Sequence, residues 1–284
     1  LALRSNLAGS AGWFVDPGNI SEVQELIPSQ DEIKKESSIH SVEKLIKFAK
    51  YLHPKAVLCD SYNIHYKNLL PTENKTYFFC DVALDINAKN FFIVNCQPGS
   101  KNNNHCYGGP AYLPIEIKKA PASKLDFDNI ERPVDCLVSF GATDTINQTS
   151  KVLSEILSDD ELTNSIKPIC LIGPHFNHLE SVKSLLTMFP SSRVILDGRS
   201  ILELSDLCPL AIGAPGHSHA ERLFLGMATV LVAQNELHHP LCKNWVATGC
   251  ALYAGANMER LTESLAALMS KNFQLARKGS LQGQ

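Results

Sequence analysis

From residue 134 onward the chain alternates between two kinds of segment, and this alternation restricts its fold more than any other feature. Short apolar runs at 134–138, 168–172, 193–196, 209–213, 229–233 and 250–253 read as buried strands. Segments 146–157, 176–188, 200–207, 218–226, 239–248 and 257–270 carry apolar residues at helical spacing. Strands that alternate with helices call for parallel pairing through right-handed crossovers. The predicted fold is α/β, a doubly wound parallel sheet with helices on both faces. In such sheets ligands bind at the carboxyl ends of the strands.

The first half repeats the scheme less regularly. Trp13–Val15, Ala56–Cys59, Thr76–Cys80 and Phe91–Val94 are its strand candidates. A helix is expected from about Asn19 to before Pro28, and a short one at about 64–70 that stops before Pro71. Val42–Leu52 has apolar residues at 42, 45, 46, 48, 49 and 52, a helical spacing closed by Pro54. The polar run Ser29–Ser38 reads as a surface loop, and the Asn- and Gly-rich segment Gln97–Pro110 as an exposed loop. A proline- and charge-bearing stretch from Lys118 to Pro133 is the best linker. It divides the chain into halves at 1–130 and 131–284, a size suited to two domains. Leu1–Leu7 reads as the tail of a helix, so the chain is expected to start partway into its first half.

A net charge of −3 without a basic block argues against nucleic acid as the main partner. No apolar run reaches the ~18 residues of a membrane span, and residues 1–8 lack the order of a secretory leader. No stable membrane insertion is expected. Nine cysteines occur singly, with no C-x-x-C pair, which suggests neither a zinc knuckle nor a disulfide framework. The expected setting is a reducing cytoplasm and the expected state a monomer.

Two strand-to-helix turns carry the candidate chemistry. The first, Ser139–Asn147, reads Ser-Phe-Gly-Ala-Thr-Asp-Thr-Ile-Asn. Its glycine lets backbone approach a ligand, and the N–H groups of the following helical turn are expected to face that ligand. Thr143, Asp144 and Thr145 are candidate caps. The second is Gly213–Glu221, Gly-Ala-Pro-Gly-His-Ser-His-Ala-Glu. Ser218 with Glu221 three positions on forms a capping-box pattern. Alternatively, the turn's N–H groups hold a phosphate while Glu221 accepts hydrogen bonds from ribose hydroxyls. Two glycine turns in one α/β domain suit a nucleotide diphosphate, and neither G-x-G-x-x-G nor G-x-x-x-x-G-K-[ST] occurs. The candidate nucleotide-binding residues are Phe140, Gly141, Ala142, Thr143, Ala214, Gly216, His217, Ser218, Glu221 and His238. Asp60 and Asp81 end strands of the first half and, with Tyr62, are candidates for the sugar side. His217, His219, His238 and His239 sit on two separate loops without a carboxylate at ligand spacing. They read as surface or substrate-lining residues, with no metal and no cofactor expected. No cysteine has an evident activating partner.

Val138–Asn147 resembles the "(M/F)GG-x-D-x-x-N" block of PseG-type nucleotide-sugar hydrolases. Gly216–Glu221 followed by Leu225-Gly226-Met227-Ala228-Thr229-Val230 resembles their "G-S-[ST]-x-x-E…L-G-x-P-x-[IV]" block. Val57–Tyr62 is similar to their "hydrophobic-D-x-Y" strand end, and Gly109–Leu113 to their "G-P-x-Y-x-x-L" segment. These blocks span most of the chain in the family's order. The resemblance implies a MurG-like GT-B arrangement of two Rossmann-like domains, the first on the sugar side and the second binding the nucleotide. It implies hydrolysis of a UDP-linked diacetamido-trideoxy sugar on the path to pseudaminic acid, with Gly141, Thr143, Gly216 and Glu221 helping to hold UDP. The family's "G-x-G-H-x-x-R" loop, whose histidine activates water, is expected to precede Leu1, so this chain is expected to bind UDP but to hydrolyse poorly. Ala142 and Pro215 replace a usual glycine and a small residue. The family's "N-Q" pair, eleven residues before a glycine, corresponds by spacing to Leu237-His238 before Gly249; an amide contact would be lost or replaced by imidazole. The alternatives are a MurG-like glycosyltransferase using a UDP-sugar, or an inactive nucleotide-sugar binding homologue.

Overall fold

The computed structural model describes residues 11–15, 29–35, 46–47, 50–60, 73–81, 84, 86, 88–113, 133–141, 143–173, 175–196, 201–204 and 208–270. The chain divides into two compact units, Leu1–Glu116 and Ile117–Gln284. The boundary expected at 130/131 falls within 114–132, outside the described residues. So do the helices expected at 1–7, 19–27 and 64–70.

In the first unit β1 (Gly12–Val15) and β2 (Glu32–Lys35) form a two-stranded parallel sheet. The polar run Ser29–Ser38 is therefore not wholly a loop. Asp31 supplies the reason: its carboxylate accepts from the Ala11 N–H at 2.9 Å and from the Trp13 indole N–H at 2.8 Å. That tertiary contact pins a polar segment beside β1. A second parallel sheet runs β3 (Ala56–Asp60), β4 (Lys75–Phe79), β5 (Phe91–Asn95) and β6 (Cys106–Gly108), in that order. Strand β6 lies inside the segment expected to be an exposed loop. The asparagines that made it read as loop build a turn instead. Asn103 Oδ1 accepts from the His105 N–H and Asn102 Oδ1 from the Gly108 N–H, which returns the chain onto the β5 edge. Cys59, Phe78, Ile86, Phe91 and Ile93 form this unit's buried core.

The second unit holds a six-stranded sheet, all parallel: β7 (Val134–Ser139), β8 (Ile166–Ile172), β9 (Arg193–Leu196), β10 (Leu210–Gly213), β11 (Ala228–Leu231) and β12 (Leu252–Tyr253). Its order is β12-β11-β10-β7-β8-β9. Between and after the strands lie α1 (Gln148–Leu157), α2 (Asp160–Ser165), α3 (Leu179–Leu186), α4 (Ile201–Leu204), α5 (His217–Phe224), α6 (His238–Ala247) and α7 (Leu261–Met269). Each strand expected in this half is present within a few residues. Helix α2 escaped the periodicity because it is short and polar. Its start is set by Asp159, whose carboxylate accepts from the Leu162 N–H at 3.0 Å.

Successive residues of a strand point to opposite faces, and here both faces are apolar. Cys136, Val138, Leu210 and Ile212 pack into a cluster with Val152, Leu153, Val182 and Leu265. Leu137 and Ala211 pack into a second cluster with Ile201, Leu204, Leu225 and Met227. The sheet is thus covered on both sides, as parallel sheets require.

The central pair β7–β10 admits no extra atom at Gly213. A Cβ there would stand against the Ser139 carbonyl oxygen and 2.6 Å from Arg222 Nη1. Gly213→Ala should lower unfolding free energy by about 2–3 kcal/mol, read as a reduced urea midpoint. A midpoint unchanged from that of the parent chain would refute this packing.

Candidate functional site

The strand order reverses between β7 and β10, which makes their shared carboxyl edge the switch point of the sheet. The parallel register sets Gly213 opposite Ser139, so the turns that follow the two strands lie side by side. A third loop joins them after β11: Gln234 Nε2 donates to the Phe140 carbonyl at 3.2 Å, and the Val232 N–H donates to the Gly213 carbonyl at 3.0 Å. Phe140 is buried, whereas Gly141 and Thr143 are exposed; Ala142 lies outside the described residues. Gly141 has φ +84, a conformation that favours glycine.

The two helix starts at this edge differ. Ahead of α1, the buried Asp144 carboxylate accepts from the Gln148 N–H and the Thr149 N–H, each at 2.8 Å, and from Thr149 Oγ1 at 2.7 Å. The N–H groups expected to face a ligand are therefore taken by the chain's own anion, and α1 is not the anion seat. Of the three expected caps Asp144 performs the task. Asp144→Ala should cost about 2 kcal/mol of stability, measured by denaturant unfolding. A loss below about 0.5 kcal/mol, the size of an ordinary surface substitution, would refute the cap.

Helix α5 starts differently. Gly216 occupies its N-cap position at φ −74 and ψ −158, and no side chain caps it. The expected capping box does not form. The helix begins at His217, which places Ser218 inside the first turn, where its hydroxyl cannot serve as the cap. Glu221 is thereby released from a capping role. It sits half-buried, and burial raises its carboxyl above the usual range against the opposing pull of His217 and Arg222. Nothing stands within 4 Å of the point where a Gly216 Cβ would be. His217 is exposed; Ala214 and Ser218 are half-buried. The first N–H groups of a helix have no i−4 partner within it. The His219 N–H turns back to the Gly216 carbonyl at 2.9 Å, and those of His217 and Ser218 are left at this terminus with the positive end of its dipole.

Behind the turn lies a buried polar group that periodicity did not flag. Arg222 is wholly buried, and its Nη2 donates to the Ala214 carbonyl at 2.6 Å. Burial lowers its guanidinium to about 10, opposed by Glu221, which leaves it charged at neutral pH. His219 is also wholly buried, one turn-face away, with its ring edge-on to Trp245 at 4.7 Å between centroids. It is a core residue, not the surface or substrate-lining histidine expected, because position 219 faces α6. Burial, aided by Arg222, pushes its ring well below the ordinary 6.5. The sign of the pH effect follows. Below pH 6.5 the unfolded chain takes up a proton that the folded chain refuses, so stability falls with acidification. Between pH 7.5 and 5.5 the parent should lose about 1.4 kcal/mol more than His219→Phe, compared by urea unfolding. Parallel pH profiles would refute a buried neutral His219.

His238 opens α6 half-buried, and its Nδ1 accepts from the Gln234 N–H at 3.3 Å. His239 hydrogen-bonds to the Tyr253 hydroxyl, and its Nε2 lies 3.7 Å from the Glu236 carboxylate. Three residues before Leu237-His238 stands an amide pair of the chain's own, Gln234-Asn235. Gln234 ties two loops together, and Asn235 Oδ1 accepts from the His238 N–H at 3.1 Å. An amide pair read in either order would have found it.

In the first unit, Asp60 ends β3 and is exposed, and Tyr62 lies outside the described residues. Asp81 follows β4 and accepts from Gln97 Nε2 at 2.8 Å; Asn95 Oδ1 in turn accepts from the Gln97 N–H. Gly109 has φ +106 and leads the 3₁₀ turn Pro110–Tyr112. Burial pushes the thiols of Cys59 and Cys96 up to about 11 and those of Cys170, Cys208 and Cys242 up to about 12. None of these five is thiolate at neutral pH. Among the described residues no group of three or more His, Cys, Asp or Glu is placed to hold a metal, and no helix is long and apolar enough to cross a membrane.

No family model matches the chain. It is 29% identical over 211 residues to an uncharacterized protein of Methanocaldococcus jannaschii, a match that covers 68% of this chain and 43% of that protein. The chain thus spans less than half the length of that relative. Among solved structures it is similar to MurG of Acinetobacter baumannii, with a TM-score of 0.64 at 12% identity over 96% of this chain and 87% of that one. It is also similar to MnaA of S. aureus, solved together with UDP, with a TM-score of 0.60 at 11% identity over 93% of this chain and 79% of that one. Likeness at such identity establishes the fold alone, two Rossmann-like domains of the GT-B type.

Proposed function

We propose that this chain is the core of a nucleotide-sugar hydrolase that releases UDP from a diacetamido-trideoxy sugar, in the making of pseudaminic acid-type glycans. One observation carries the nucleotide part of this reading. The α5 terminus is uncapped, opens through Gly216 onto unfilled space, and stands beside a half-buried Glu221 that no capping box occupies. Helix N-termini of this kind hold phosphate through backbone N–H groups and the helix dipole. In this arrangement the α5 start takes the diphosphate, and Glu221 accepts from the ribose hydroxyls. Gly141 and Thr143 supply exposed backbone and hydroxyl beside them. UDP in the MnaA structure supports the choice of nucleotide by analogy of fold.

The hydrolase part rests on the motif resemblance. Water adds to the sugar carbon that bears the diphosphate, that carbon–oxygen bond breaks, and UDP leaves with the bonding pair. The family's loop histidine takes the proton from water as general base. Donors at the α5 start stabilise the charge that develops on the leaving diphosphate. Asp60, Asp81 and Tyr62 are the residues of the first unit assigned to the sugar.

Calorimetric titration with UDP, with UMP and NAD as controls, tests the site. UDP should bind in the micromolar range, about −8 kcal/mol, and Glu221→Ala should weaken it about tenfold through the lost charged hydrogen bonds. Gly216→Ala should weaken UDP while lowering the melting temperature by only about a few degrees, since the added methyl meets no protein atom and the cost is that of a poorer N-cap residue. A folded chain that does not bind UDP, or binds NAD equally well, would overturn the reading.

A further inference from the structure

Arg222 is a buried cation that forms no ion pair among the described residues; the half-buried Glu221 acts on it only through its charge. The side chain is wholly inaccessible, its Nη2 donates to the Ala214 carbonyl, and its Nε and Nη1 have no hydrogen-bond partner among the described residues. Its neighbours in sequence include Glu221, yet among the described residues no ion pair joins the two. A charge withdrawn from water in this way is costly unless something compensates it. Its position is specific. Nη1 lies 2.6 Å, and Cζ 3.0 Å, from the point where a Gly213 Cβ would stand, so only glycine at 213 lets the guanidinium reach the underside of the turn. The contact also draws the Ala214 carbonyl into the interior. A carbonyl oxygen on the outer side would repel a phosphate oxygen; turned inward, it leaves that side to the uncapped α5 start.

We infer that Arg222 is a positioning residue for a diphosphate: it holds the Ala214 carbonyl inward and fixes a positive charge behind the Pro215–His217 turn, so that the site selects ligands by their phosphate charge. The inference rests on the nucleotide reading above and adds to it the source of the phosphate preference. The diphosphate completes the electrostatics of the site without touching Arg222.

The test compares UDP with uridine, which shares the base and ribose but lacks the charge. Affinities for both are measured by calorimetry in the parent chain, in Arg222→Gln, which keeps a donor without charge, and in Arg222→Lys, which keeps a charge on a shorter reach. Melting temperatures are recorded in parallel. The parent should prefer UDP. In Arg222→Gln that preference should fall about tenfold, the effect of one lost charge-assisted interaction, with uridine affinity unchanged. Arg222→Lys should keep the preference within about threefold of the parent. A role confined to structure would lower both affinities together, and that outcome overturns the inference. A folded Arg222→Gln with the parent's preference overturns it too, while leaving the nucleotide site in place. A parent that binds uridine as tightly as UDP overturns the phosphate reading itself, and this inference with it. Should Arg222→Gln fail to fold, Arg222→Lys decides alone: retained preference supports the fixed charge, and a joint fall in both affinities overturns it.

Discussion

The parallel pairing of β7 with β10 is the constraint on which the rest of the second unit depends. One residue pair, Gly213 opposite Ser139, sets the two turns at the same height above the sheet. It also leaves no space between the strands and Arg222 for a side chain at 213. The helices after β7 and after β10 then pack into different apolar clusters, because the sheet grows outward in two directions from this pair. The edge above the pair is therefore not roofed by either crossover, and ligand sites of doubly wound sheets are found there for this reason.

The two helix starts at that edge show how similar local sequences reach opposite electrostatic states. Both follow a strand and a turn with a glycine. At α1 a buried carboxylate absorbs the first donors, and the helix dipole is answered from within. At α5 the cap position is a glycine, no side chain among the described residues caps the helix, and an arginine adds charge from behind. An anion approaching the edge meets one neutralised terminus and one that remains positive. The site is thereby directional, and its polarity comes from which residue precedes each helix rather than from the strands.

Polar burial behind the site concentrates on two helices. His219 and Arg222 on α5 and Trp245 on α6 all carry buried nitrogen atoms without a hydrogen-bond partner among the described residues. Such groups lower stability, and an apolar core would not tolerate them without a compensating role. Their place directly beneath the turn proposed to take the diphosphate is where proteins commonly exchange stability for function. The apolar clusters on the two faces of the sheet supply the stability that makes this affordable.

Much of this was decided by the sequence alone. Apolar runs that alternate with helical spacing determine a parallel α/β sheet, because strands apolar on both faces need helices on both sides. The two glycine turns were readable for the same reason, as the joints between those elements. Tertiary structure decided what local pattern could not. Asp31 turned a polar run into β2, and asparagine side chains turned an apparent loop into β6. Ser218 and Glu221 match a capping box in sequence, but the helix starts two residues too early for it. His219 reads as one more histidine near a turn until α6 closes over it. Each of these depends on contacts between residues distant in the chain or on the phase of a helix, and neither is encoded in spacing alone.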